Sequence, residues 1–401
     1  MKASLIIPSY NARERLKYNL IALNRQSYEG EDIEVIVIDN GSTDKTLEML
    51  DGFELKYPLK KIRVEKNNGI AHGRNQGILE AEGDILIFHD SDMIASKDYI
   101  KLHLEAHREP NIVACGLFWR RIFTFYYKGF HSSQMATFDR ICSTWALDKK
   151  AYPDGYPLIT EEEVASEDLN TYGFDLDFGF INDLKATILE YGKNLVGYYL
   201  PWRFCITNNL SVDREKVIEV GMFDDKIIRY GYEDYDLGIR LFKAGCHFTM
   251  AEHIVSLHQE HPANFHSGDL EANVKYMCEK YNSIYFIDMP LVCLSDHLNI
   301  DKTRMNAIMK DINQILTRKE YHPLLELFLH LLQVIRVRLY NPQEDNSRTI
   351  FPKIAENLKT TVRSTLELWR KERTVAFISE LASLLKLTYN IDFNAILKAN
   401  I

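Results

Sequence analysis

The feature that most constrains this chain is a series of four short apolar runs, each closed by a polar turn and separated by stretches of helical period. Ala3–Ile7 ends at Pro8, Glu34–Ile38 (Glu-Val-Ile-Val-Ile) ends at Asp39, Lys61–Glu65 is weaker, and Asp84–Phe88 ends at His89-Asp90-Ser91-Asp92. Continuous β-branched runs of this length read as strands buried on both faces. Between them, Glu14–Gln26 carries Leu16, Leu20 and Leu23 at helical spacing, Ser42–Leu50 opens on Ser-Thr-Asp capping chemistry, and Gly69–Ala81 reads as a third helix. A βαβαβαβ order predicts a mostly parallel, Rossmann-like α/β sheet with helices on both faces. Ligands bind such sheets at the carboxyl ends of the strands. The polar clusters fall there: Pro8-Ser9-Tyr10-Asn11, Asp39-Asn40-Gly41-Ser42 and Asp90-Ser91-Asp92.

The remainder divides by texture. Residues 116–202 lose periodicity in an aromatic, polar stretch with acidic clusters, expected to shape an acceptor pocket or to be a plain structural insertion. Residues 203–262 resume the ordered pattern, and beyond about Pro290 the chain is helical by period over Lys302–Leu316, His322–Tyr340, Lys353–Arg370 and Val375–Leu387. The expected domains are 1–290 (a nucleotide-binding half at 1–115, an insertion at 116–202, an acceptor and catalytic half at 203–290) and a helical region at 291–401. For the apolar helix around Leu324–Leu339 the first reading is a buried member of a small bundle. Homodimerisation comes second. Peripheral docking on a membrane comes third, because the polar face lacks the Lys/Arg density of an interfacial helix.

Charge and cysteines narrow the function. Lys+Arg 48 against Asp+Glu 57 gives a net charge of −9, which disfavours a nucleic-acid partner. The six cysteines have no CxxC or zinc spacing and read as reduced, mostly buried thiols. The first residues are too weakly apolar for a signal peptide, and no run is long enough to span a membrane. The expected location is cytoplasmic, with peripheral contact at the inner face of a membrane as the alternative.

Taken singly, the motifs are ambiguous. Asp90-Ser91-Asp92 places two carboxylates at i and i+2 on a turn, where they can converge on a hard divalent cation; a turn cap is the plain alternative. Asp175-Leu176-Asp177 has the same spacing but no preceding strand, so it reads as a decoy. Asp39 could accept from a nucleoside, or merely cap a turn. Asn67-Asn68-Gly69 opens a helix with Arg74 one turn in, which suits a diphosphate or an exposed helix face. Glu233-Asp234 opens another helix, where acidic residues are favoured in any case. His258 ends the apolar run Ile254–Leu257 and is a ligand candidate only if a metal lies near.

In order and spacing, these pieces together resemble the GT-A fold glycosyltransferases of family 2. The stretch Thr207–His258 resembles the galactosyltransferase-type region shared by chondroitin-polymerase-like and β-1,4-galactosyltransferase-like enzymes, matched by Asn208-Asn209-Leu210-Ser211, Gly221-Met222-Phe223-Asp224, Glu233-Asp234, Arg240-Leu241, Gly245 and His258-Gln259-Glu260. The resemblance implies a GT-A fold and an inverting, metal-dependent transfer from a UDP-sugar to a glycan or lipid-linked acceptor, in bacterial surface polysaccharide synthesis. It implies that Pro8, Tyr10 and Asp39 line a uridine pocket, that Arg74 faces the diphosphate, and that Asp90 meets the ribose and the surroundings of the metal. Asn11, Asn68 and Ser91 complete the expected donor-binding set. Asp92 and His258, with Asp90 beside them, would hold Mn²⁺ or Mg²⁺. Asp234 matches the general base and Glu233 a binder of sugar hydroxyls. One departure stands out: where the family reads Gly-Trp-Gly-Gly-Glu-Asp, this chain has Arg229-Tyr230-Gly231-Tyr232-Glu233-Asp234. The bulk of Tyr232 is expected to reshape the acceptor side. The alternatives are a nucleotidyltransferase, which would want a basic Gly-rich loop after the first strand, and a non-catalytic sugar- or nucleotide-binding protein.

Overall fold

The computed structural model describes residues 2–142, 152–166, 168–262, 268–344, 365, 367–368, 370–371 and 374–392. The opening run is β1 (Ala3–Ser9), α1 (Arg13–Asn24), β2 (Ile33–Asn40), α2 (Thr46–Asp51), β3 (Leu59–Val64), α3 (Ile70–Glu80) and β4 (Ile85–Phe88). β1 pairs in parallel with both β2 and β4, and β2 with β3. Side chains alternate across the sheet as the pleat requires. Leu5, Ile7, Val35, Val37 and Ile87 pack on one face with Leu16, Leu20 and Leu23 of α1. Ile6 and Ile38 face α3, whose Gly77 lets the helix sit close: a Cβ there would lie 2.7 Å from Ile38 Cδ1. Helices therefore cover both faces, as expected. α2 starts later than the expected Ser42, because Asp44 accepts from the Thr46 amide and hydroxyl and Lys45 takes a left-handed φ of 66°.

The chain continues through β5 (Met93–Ala95), α4 (Tyr99–Ala106), β6 (Ile112–Leu117), β7 (Arg120–Ile122), β8 (Phe125–Tyr126), α5 (Ser132–Cys142), β9 (Tyr156–Pro157), α6 (Glu161–Ser166), β10 (Phe174–Asp175), α7 (Gly179–Tyr191), β11 (Leu210–Asp213), α8 (Arg214–Glu219), α9 (Glu233–Lys243) and β12 (His247–Gln259). Ten strands form one mixed sheet in the order β10-β7-β12-β6-β11-β4-β1-β2-β3, with β5 on β12. β11 enters antiparallel between β4 and β6 and joins the parallel half to the rest. β12 pairs with β6 at its start, passes a register shift between Ala251 and Val255, and ends against β5 and β7. This mixed α/β sheet is the fold class the sequence leads one to expect. In the aromatic stretch, Phe123, Phe130 and Phe138 are buried together in a small core of their own. Asp175 does lie in a short strand, against expectation. Its carboxylate is paired with Arg120 at 3.1 Å and Lys185 at 3.0 Å, in keeping with a structural role.

The described chain forms two compact units, 1–196 with 201–266, and 197–200 with 267–401. The second contains α10 (Asp269–Lys280), α11 (Asp288–Leu298), α12 (Lys302–Ile315), α13 (His322–Tyr340) and α14 (Val375–Tyr389). α10 and α11 escaped the sequence reading, while the expected helix Lys353–Arg370 lies largely outside the described residues. α13 buries Leu324, Leu325, Phe328, Leu331, Leu332 and Ile335, as a bundle helix does. Among the described residues, no helix is long and apolar enough to cross a membrane. Cys115, Cys205, Cys246, Cys278 and Cys293 are buried free thiols; the side chain of Cys142 is not described.

Candidate active site

Two clusters meet at the carboxyl ends of the strands. The first is assembled by register. β12 runs antiparallel to β5, so that His258 lies opposite Met93 and the Gln259 amide donates to the Asp92 carbonyl at 2.8 Å. The Asp92 carboxylate is thereby brought to His258 Nε2 at 3.6 Å and to His261 Nε2 at 3.0 Å. Ligating atoms of these three residues all lie within 4.8 Å of one another. Burial would raise the Asp92 carboxyl, but His258, His261 and Arg15 outweigh it and hold the group far below the usual carboxylate range. His258 is pushed down, by burial first and by Arg121 second, which favours the neutral imidazole that ligates metals. Glu260 lies 3.7 Å behind His258 Nδ1. Burial works against its charge, yet His258 and Arg121 lower it to about 2.

This set fits a divalent cation. Asp92 Oδ1 is buried and has no hydrogen-bond partner among the described residues, as a ligating oxygen does before its ion arrives. One carboxylate and two imidazoles suit Mn²⁺ better than Mg²⁺, which prefers all-oxygen shells. His261 was missed by the sequence reading, although its i+3 spacing from His258 was a visible signal. Asp90, expected beside the metal, lines the same cavity but is not one of the three, and its carboxylate pairs with Arg74 at 2.9 Å.

The second cluster is built around Arg74. Its guanidinium is 2% exposed, packs over the Phe223 ring, and pairs with Asp90 at 2.9 Å, Glu233 at 3.1 Å and Asp234 at 3.2 Å. Burial alone would lower the Arg74 pKa, but the three carboxylates raise it above the ordinary value. Arg74 was expected to face a diphosphate; in this structure its guanidinium is a hub joining the end of β4 to the start of α9. α9 opens at Tyr232, whose φ of 72° is left-handed, a conformation in which the family's glycine would sit without strain. That turn sets Glu233 and Asp234 side by side. Thr207 donates to Asp234 from its hydroxyl at 2.5 Å and its amide at 3.3 Å. Burial, and then the neighbouring Glu233, raise the Asp234 carboxyl to about 7 against the pull of Arg74 and Thr207. Glu233 Oε2 is buried with no partner among the described residues.

A cavity of about 190 Å³ joins the strand ends and is lined by Pro8, Ser9, Tyr10, Ala12, Arg15, Asn40, Asn67, Ile70, Asp90, Ser91, Asp92 and His261. Pro8, Tyr10, Ser91 and Asp90, all expected near a donor, are among the residues that line it. Asp39 is buried, with Oδ1 accepting from the Ser42 amide at 2.9 Å and Oδ2 lacking a hydrogen-bond partner among the described residues, 3.5 Å from Arg63. Two expectations shift. Asn11 stitches two loops together, its backbone N–H donating to Ser42 Oγ at 3.0 Å and its side-chain Oδ1 accepting from the Thr43 amide at 2.8 Å. Asn68 is exposed, and Asn67 lines the cavity instead, tied to Asn40 at 3.0 Å and to the Gly69 amide at 2.9 Å.

Comparison with known proteins places the chain in a family. The family described as glycosyl transferase family 2 matches residues 4–156, and the one described as N-terminal domain of galactosyltransferase matches residues 188–262. An uncharacterised glycosyltransferase of Bacillus subtilis (strain 168), YfnE, is 49% identical over 347 residues, covering 85% of this chain and 86% of that protein. Chondroitin synthase of Escherichia coli is 27% identical over 335 residues, covering 79% of this chain and 45% of the synthase, so the chain spans less than half of that enzyme. Among solved structures, residues 1–349 of S. aureus TarS in complex with UDP-GlcNAc align at a TM-score of 0.47 and 15% identity, covering 87% of this chain and 92% of that one. The chain belongs to glycosyltransferase family 2. It is a glycosyltransferase, which sets aside the nucleotidyltransferase alternative.

Proposed function

We propose that the protein transfers a sugar from a UDP-sugar to a hydroxyl of a glycan acceptor, with inversion at the anomeric carbon and with a divalent cation, in the synthesis of a bacterial surface polysaccharide. The observation that carries this reading is the pairing of an aspartate raised to about 7 with an ionised aspartate in a metal-fitting triad, at the same strand ends. A general base works best when its pKa lies near the operating pH, and Asp234 meets that condition. Its Oδ1 is fixed by Thr207 and Arg74, so the carboxylate is oriented before an acceptor arrives. One such carboxylate, taking the proton of an attacking hydroxyl on the face opposite the leaving group, is enough for a single in-line displacement and hence inversion. The unpartnered Oε2 of Glu233 suits a sugar hydroxyl.

Asp92, His258 and His261 would hold the cation, Mn²⁺ by the chemistry of the donors. When bound, it neutralises charge on the leaving diphosphate as a Lewis acid. Asp39 Oδ2, buried without a hydrogen-bond partner among the described residues, is an acceptor suited to the N–H of a uracil, and Pro8 and Tyr10 offer the cavity flat apolar surface. The likeness to a chondroitin synthase supports a glycan acceptor. The test is nucleotide release from a panel of UDP- and GDP-sugars, with Mn²⁺ or with EDTA. Metal-dependent release of UDP from one sugar is the expected outcome. Release from GDP-sugars alone, or no binding of UDP by calorimetry with Mn²⁺ present, overturns the reading.

A further inference from the structure

We infer that Arg15, not Arg74, is the side chain that meets the diphosphate of the donor; this rests on the UDP-sugar reading above. A diphosphate brought into the cavity would enter beside Asp90 and Asp92, so it needs positive charge from the protein in addition to any cation. Arg74 is not available to supply it. Its guanidinium is buried against three carboxylates, and moving it would leave Asp90, Glu233 and Asp234 uncompensated.

Arg15 is placed differently. It projects from the first turns of α1, directly after the end of β1, and lines the cavity with Pro8, Tyr10, Asp90, Asp92 and His261. Its charge reaches Asp92, where it is one of the influences that keep that carboxyl ionised. Yet it forms no ion pair among the described residues. Its side chain makes a neutral contact, Nη1 donating to the Tyr127 hydroxyl at 3.2 Å, while its Nε is buried with no hydrogen-bond partner among the described residues. A buried guanidinium nitrogen without an acceptor, on the wall of an acidic cavity, is a donor held ready for an anion. Arg121, the other arginine near the triad, is directed to Glu260 at 3.6 Å and does not line the cavity. Arg15 also sits where the backbone is otherwise secured. Its carbonyl accepts from Gln259 Nε2 at 2.9 Å, a bond that a side-chain substitution leaves in place.

The experiment is calorimetry of the full-length chain with Mn²⁺, titrated with UDP, and with uridine measured by competition against UDP. Arg15→Ala should weaken UDP by about tenfold or more, the loss expected when a charge-assisted bond to phosphate is removed, and leave uridine unchanged. Arg15→Lys should recover part of the loss, since it keeps the charge without the planar fork. Thermal melts of both variants close to that of the parent protein would exclude loss of folding. Unchanged UDP affinity in Arg15→Ala, or an equal loss for UDP and uridine, overturns the assignment of Arg15 alone. A parent protein that binds neither molecule overturns the donor reading itself, and this inference with it.

Discussion

Asp92 and Asp234 are the same side chain in two settings, and their surroundings push them opposite ways. Both are half-buried, and their partial removal from water by itself would raise each. Around Asp92 stand His258, His261 and Arg15, which outweigh burial and favour its charged form. Around Asp234 stand Glu233 and Asp90 as well as Arg74, and the one guanidinium, shared with both neighbours, does not offset burial and like charge at Asp234. The difference teaches that role follows from the polar neighbours more than from the residue. A permanently charged aspartate suits a metal; one balanced near neutrality suits proton transfer.

This contrast can be broken at several points. The largest effect is expected from Asp234→Asn, which should cut turnover by ~10²–10⁴-fold, the usual worth of general-base assistance, with UDP affinity unchanged. A steady-state assay beside calorimetry checks it, and an unaltered rate removes Asp234 from the role. Next comes Glu260→Gln, which removes the anion behind His258. Loss of such supporting groups typically costs about 10–100-fold in metal affinity, and a Mn²⁺ titration followed by electron paramagnetic resonance measures it. The smallest effect is the most diagnostic. Asp234 must be deprotonated to accept a proton, so kcat/KM should rise with pH through about 7 and then level off. Glu233→Gln removes the negative neighbour that raises Asp234, so the rising limb should move to lower pH. A limb that stays where it was would mean that another group sets it.

Much of the fold was legible because β1, β2 and β4 are continuous apolar runs that no surface element could carry. The same logic failed where burial is one-sided or interrupted. β12 was visible only as Ile254–Leu257, since its other residues alternate between buried and exposed or pass the register shift. α10 and α11 have buried faces broken by polar residues such as Asn273 and Asp288, which blur the helical period. Within the site, residues set by a local turn were readable: Pro8, Tyr10, Ser91 and Asp92 follow directly from where strands end. Arg74 was not, because its partners come from Asp90 and, about 160 positions away, from Glu233 and Asp234. Nothing in the helix that bears it announces three carboxylates. Asn67 and Asn68 are indistinguishable in sequence, and the choice between them is made by the left-handed Gly69, whose φ of 94° turns the amide back onto Asn67.

The register shift in β12 has a consequence for how such a chain tolerates change. Upstream of it the strand belongs to the sheet through β6; downstream it delivers His258 to Asp92 through β5. Because side chains alternate, gaining or losing one residue downstream of the shift would turn His258 to the opposite face while the pairing of His247–Ala251 stayed intact. Architecture and chemistry are thus separable by a single codon. A lineage could keep this sheet, lose the meeting of His258 with Asp92, and leave a folded relative that resembles its ancestor everywhere except at this site.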